Sequence, residues 1–111
     1  MSASATPPVN RRRGEVGALI DGRPYTLCLT LGALAELEDA FGLDDLGALA
    51  SRFGEGRLSA RDVMRVLRAG LRGGGHDVDD EAVAEMRFDG GATGAARLCG
   101  ELVSATFGGE R

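Results

Sequence analysis

The dipeptide Asp21-Gly22 constrains this chain more than any other feature. It lies between two apolar runs, Glu15 to Ile20 and Pro24 to Thr30. A two-residue hairpin turn needs positive φ at both central positions, which Asp and Gly tolerate, so the pair predicts two antiparallel strands. In the second run Tyr25, Leu27 and Leu29 alternate with Thr26, Cys28 and Thr30. One face of the hairpin is therefore apolar. A lone hairpin is marginal in water and must pack on something. The chain beyond Thr30 reads as helices.

Thr30 is placed to cap a helix over Leu31 to Phe41, with Leu31, Leu34, Leu37 and Phe41 as its apolar stripe and Gly42 as its stop. Asp44 or Asp45 opens a short helix to about Phe53, with Leu46, Leu49 and Phe53 on one side, and Gly54 and Gly56 break it. Ser59 and Asp62 have the spacing of a capping box for a third helix running to about Arg72. Its buried side is Val63, Val66, Leu67, Gly70 and Leu71. Gly73-Gly74-Gly75 ends it and reads as a flexible connection. Asp79 can cap a short helix from Asp80 to Met86. Phe88 to Thr93 reads as a glycine-containing turn before a last helix over Ala95 to Phe107, with Leu98, Leu102 and Ala105 on one face. Strands first and helices afterwards indicate an α+β fold: an N-terminal β-hairpin packed on a small bundle of four to five helices. The expected organisation is a disordered N-terminal arm over 1–13, a single domain over 14–107 and a frayed C-terminus over 108–111.

The composition removes several functions. All 13 basic residues are arginine, so neither a phosphate loop with its lysine nor Schiff-base chemistry is available. The net charge is −4, with no tryptophan and one tyrosine. A dedicated nucleic-acid binder is usually basic and offers aromatic platforms, so nucleic acid is not an expected partner. Arg11, Arg12 and Arg13 form a short basic cluster, read first as a solvated group beside the first strand and second as a small nucleic-acid contact. No apolar run reaches the roughly 18 residues of a membrane span. The first 13 residues lack the apolar core of a secretory signal. Cys28 and Cys99 have no metal-type spacing and read first as two buried thiols in a reducing cytosol and second as a disulfide.

Arg61, Arg65, Arg68 and Arg72 follow at steps of four, three and four, which aligns them on one face of the third helix. They read either as a solvated face, balanced by Glu36, Glu38 and Asp39, or as a basic stripe that receives an acidic segment of a partner. His76, the single histidine, reads as a turn residue, since nothing in the sequence joins it to Ser59 or Cys99 and an acid. Asp77, Asp79, Asp80 and Glu81 lack the glycine and distal glutamate of a calcium loop, and the helix dipole accounts for acids there. No catalytic, cofactor-binding or metal-ligating residue is assigned, and no cofactor or small-molecule substrate is expected.

Arg13-Gly14-Glu15-Val16 at the hairpin and Leu29 to Glu38 after it are collinear with Gly56-Arg57-Leu58-Ser59 and Leu71 to His76. Taken together these segments, spread over Arg11 to Met86, resemble the small tail proteins of gene transfer agents and related prophages. That family is grouped with phage tail assembly chaperones, although its members are sometimes labelled tail tube proteins. The resemblance implies a non-enzymatic protein that binds the tape-measure protein, assists assembly of tail tube subunits, acts in the cytoplasm of the producing bacterial cell and is absent from the mature particle. Apart from the resemblance, the arginine stripe offers self-association as a second use, against an acidic segment of another copy. A structural tail subunit retained in the particle is the alternative, and a small nucleic-acid-binding module the third. The resemblance carries no catalytic or ligand-binding residues over to this chain.

Overall fold

The structure is a computed structural model and describes residues 9–10, 13–54 and 58–108. Of the arm expected over 1–13, residues 1–8 and 11–12 lie outside the described residues, as do Gly56 and residues 109–111 of the fraying expected over 108–111. Two strands, β1 (Glu15–Ile20) and β2 (Arg23–Cys28), precede five helices: α1 (Leu31–Phe41), α2 (Leu46–Gly54), α3 (Ala60–Gly73), α4 (Asp80–Glu85) and α5 (Gly91–Phe107). The fold is α+β, as the order of sequence signals requires.

β1 and β2 pair antiparallel, with Val16 opposite Leu27 and Ile20 opposite Arg23. The turn between them is Asp21-Gly22, with φ of 54° and 76°. Val16, Ile20, Leu27 and Leu29 bury the inner face, while Leu19 on the other face is half exposed. At its far end β1 is bridged by the chain before α5. The Asp21 amide donates to the Arg87 carbonyl at 2.8 Å and the Asp89 amide donates to the Leu19 carbonyl at 3.1 Å.

The middle of the molecule is α3, which packs on β2, α1, α4 and α5. Its fully buried Val66, Leu67 and Leu71 meet Leu27, Leu37, Val83 and Leu102 in one core cluster. Each buried leucine of that set contributes about 1.5–3 kcal/mol relative to exposure. α1 has the expected caps: the Ala33 amide donates to Thr30 Oγ1 at 3.1 Å, and Gly42 sits in the left-handed region at φ 68°. Its stripe is narrower than the spacing predicts. Leu34 and Leu37 are buried together with Ala33, which sets the buried face of α1 to one side of Leu31, and Leu31 is 78% exposed. Leu46, at the start of α2, is likewise exposed, whereas Leu49 and Phe53 are buried.

Two glycine runs behave differently from their sequence reading. Gly73 and Gly74 are a contact, not a loose joint. A Cβ at Gly73 would lie 1.9 Å from the Cys28 carbonyl oxygen, and one at Gly74 1.9 Å from that of Thr26. Both carbonyls belong to the outer edge of β2, so the end of α3 lies directly against that edge. Gly75 then turns left-handed (φ 97°), and the His76 amide donates back to the Leu71 carbonyl at 2.9 Å. That 6→1 bond closes α3 in a Schellman motif. The second run begins a helix: α5 starts at Gly91, not at Ala95. Gly94 is required there, since a Cβ would lie 1.9 Å from the Asp89 carbonyl oxygen.

Candidate partner-binding surface

α3 owes its start to a reciprocal cap. The Asp62 amide donates to Ser59 Oγ at 3.1 Å, and the Ser59 amide donates to Asp62 Oδ2 at 3.2 Å. The Arg52 guanidinium of α2 donates to the same Asp62 oxygen at 2.9 Å. It also stands 5.0 Å above the Phe41 ring, which meets Phe53 edge-on at 5.8 Å. One chain of contacts thus ties α1, α2 and the head of α3. Asp62 is 8% exposed. Burial alone raises its carboxyl; the hydrogen bonds from Ser59 and Arg52, with the Arg52 charge, outweigh burial and hold it below its ordinary value. The sequence marked Asp62 as a cap. Nothing in the spacing showed that Arg52, ten residues earlier, would also reach it.

The cap sets the phase of α3 and so the direction of its arginines. Arg61 and Arg72 are exposed, and Arg65 and Arg68 half-buried. Arg72 Nη1 is 3.6 Å from Glu36 Oε2 of α1, and Arg68 Nε is 3.5 Å from Asp80 Oδ1 of α4. These are partly exposed pairs of small energetic weight. Of the three acids expected to balance the stripe, only Glu36 pairs with it; Asp80, read as a helix-start acid, takes Arg68. Among the described residues Arg61 and Arg65 make no ion pair. The stripe therefore divides into a paired half, Arg68 and Arg72, and an unpaired half, Arg61 and Arg65.

On a different face of α3 from the arginine stripe runs an open apolar groove of about 570 Å³ between α3, α4 and α5. Val63, Met64 and Leu67 of α3 line one wall, and Met86 and Phe88 line the other, with Arg87 at the rim. A helix carrying i, i+3, i+4 apolar anchors is the shape such a groove accepts. The groove could not be read from sequence, because its walls come from three separated segments. A smaller hollow of about 320 Å³ lies between α2 and α5, lined by Phe53, Leu58, Val103 and Phe107.

The remaining sequence candidates have structural roles. His76 packs edge-on against Tyr25, ring centroids 4.8 Å apart, and so covers one end of the hairpin. Asp79 caps α4, accepting from the Ala82 amide at 2.9 Å. Among the described residues no group of three or more His, Cys, Asp or Glu side chains is placed to hold a metal ion, and no helix is long and apolar enough to cross a membrane. Cys99 is fully buried in α5; burial, with the nearby Asp62 charge, pushes its thiol up to about 11. Burial chiefly, and Glu15 next, raise the Cys28 thiol as well. Neither cysteine is poised as a nucleophile.

A family model described as phage tail tube protein, GTA-gp10, matches residues 13–109. No curated protein and no solved structure matches the chain.

Proposed function

The chain belongs to the GTA-gp10 phage tail tube protein family, and from that premise we propose that it is a tail assembly chaperone of a phage-like gene transfer agent. In this role it binds the tape-measure protein in the cytoplasm of the producing cell, assists the addition of tail tube subunits and leaves before the particle is complete. It performs no reaction. The state of the sheet carries the proposal. A subunit that builds a tube by continuing its sheet into its neighbours needs open strand edges. Here the sheet has two strands. The outer edge of β2 meets Gly73 and Gly74, and β1 is bridged at Leu19 and Asp21 by the segment at Arg87 to Asp89. Helical surface is the larger part of what remains for association.

On that surface Arg61 and Arg65 are the half of the stripe free to meet an acidic stretch of a helical client, while Arg68 and Arg72 are paired to α4 and α1. The client-binding test therefore uses Arg61→Glu with Arg65→Glu. In co-expression with the tape-measure protein, the wild type is expected to be recovered with it. The double variant is expected to lose it while keeping an unchanged far-ultraviolet circular dichroism spectrum. Recovery of the client by a folded double variant removes the stripe from the account. A retained structural subunit is the second reading, supported by the tube description of the family.

A further inference from the structure

We propose that the groove between α3, α4 and α5 receives the free face of α1 from a second copy of this chain, so that copies join head to tail.

The donor face is centred on Leu31, the most exposed large apolar side chain among the described residues, at 78%. On a helix it shares its face with Ala35, Glu38 and Asp39, at i+4, i+7 and i+8. α1 thus presents an apolar knob followed by two acids. The acceptor has the complementary order. Its walls are Val63, Met64, Met86 and Phe88, its rim carries Arg87, and Arg61 lies on the neighbouring face of α3. Among the described residues Glu38, Asp39, Arg61 and Arg87 make no ion pair, so both sides offer uncommitted charge of opposite sign. Complementary rim charges direct docking and fix its register.

The contact cannot form within one molecule. α1 already packs its Leu34 and Leu37 side on α3 near Arg72, which pairs with Glu36, whereas the groove is at the Ala60 to Leu67 half of α3. Donor and acceptor are different patches on separate parts of the surface, so one copy can give its α1 to one neighbour and its groove to another, and copies add head to tail in the absence of reciprocal docking of the same two copies. The inference does not depend on the chaperone proposal, since it rests on the exposed α1 face and the groove alone.

The contact is small, and weak association is expected at this size. Sedimentation of the purified full-length chain from about 10 μM to about 1 mM covers the corresponding affinities. The wild type is expected to grow past the dimer as concentration rises. Leu31→Asp removes the knob at a first-turn position where an acid suits the helix dipole. Met64→Asp blocks the groove. Each is expected to weaken association by more than about tenfold. Mixing the two variants is expected to give a one-to-one dimer that grows no further, because one keeps an intact groove and the other an intact α1. Should Met64→Asp fail to fold by circular dichroism, the charge swap decides: Asp39→Arg weakens association, and Asp39→Arg with Arg87→Glu in one chain restores it. A wild type that stays monomeric at about 1 mM overturns the proposal. So do association untouched by Leu31→Asp, growth that stops at two copies, and a charge swap that restores nothing.

Discussion

Gly74→Ala separates two physical accounts of the glycine run after α3. Were the run a loose connection, alanine would stabilise the protein by about 0.4–1 kcal/mol, because it restricts the unfolded chain. The structure reverses that sign. A Cβ at Gly74 would stand 1.9 Å from the Thr26 carbonyl oxygen and 2.8 Å from its carbon, where real Cβ contacts essentially never fall under 3.0 Å. Both partners are backbone, in a helix terminus and a strand, so no side chain can swing aside. Helix and strand must part by more than an ångström, at the line where α3 covers β2. Overpacking of this kind costs typically 1–3 kcal/mol, and the rigid partners place it near about 3 kcal/mol. For a domain of this size that is a fall of roughly 10–15 °C in Tm. The φ of Gly74 is −84°, a value alanine adopts, so the steric contact alone is under test. Gly100→Ala is the control: it lies exposed in α5 with nothing within 4 Å of its Cβ. Alanine there is expected to gain about 0.5–1 kcal/mol and raise Tm by a few degrees. Thermal and urea unfolding followed by circular dichroism read both. A Gly74→Ala protein as stable as the wild type would refute the close packing of α3 on the strand edge.

Other outcomes concern the cap and the thiols. Ser59→Ala, which removes one arm of the capping box, is expected to cost about 1 kcal/mol in urea unfolding. Asp62→Ala removes the other arm and the Arg52 bond together and is expected to cost more; equal costs would mean that Arg52 contributes nothing. Because the folded protein holds the Asp62 carboxyl below its ordinary value, the unfolded chain binds that proton first as pH falls. The Asp62 contribution is therefore complete above the ordinary aspartate pKa of about 3.9 and is lost as pH drops through the lower folded value. Asp62→Asn is expected to flatten that acid limb of the stability curve, and an unchanged limb would contradict the assignment. Cys99, buried and with its thiol raised to about 11, is expected to react with a disulfide reagent at neutral pH only as fast as the protein unfolds. Reaction at the rate of a free thiol would place Cys99 at the surface.

The hairpin, the caps at Thr30, Ser59 and Asp79 and the buried phase of α3 were legible in the sequence, because each rests on chemistry within a few residues. What was not legible depends on distant segments. Leu31 has the spacing of a core residue, but α1 buries the face of Ala33, Leu34 and Leu37 and leaves Leu31 in water. Gly73 and Gly74 look like a hinge until β2 lies against them. Gly91 to Gly94 look like a turn because glycine disfavours helix, and only the position of Asp89 makes Gly94 the residue that lets α5 begin early. The arginine stripe was visible as a spacing. Which of its members are engaged was not, because Asp80 and Glu36 come from two other helices. The groove is further still from the sequence, since α3, α4 and the start of α5 each supply part of a wall.

The central claim concerns what becomes of this protein once a tail is finished. Quantitative mass spectrometry of purified particles, set beside lysate of the producing cells, tests it most directly. The chaperone account predicts the protein in the lysate, recovered with the tape-measure protein, and only traces in particles. Its presence in particles at a fixed ratio to the tail tube subunits would contradict the account and make it a structural component of the tail.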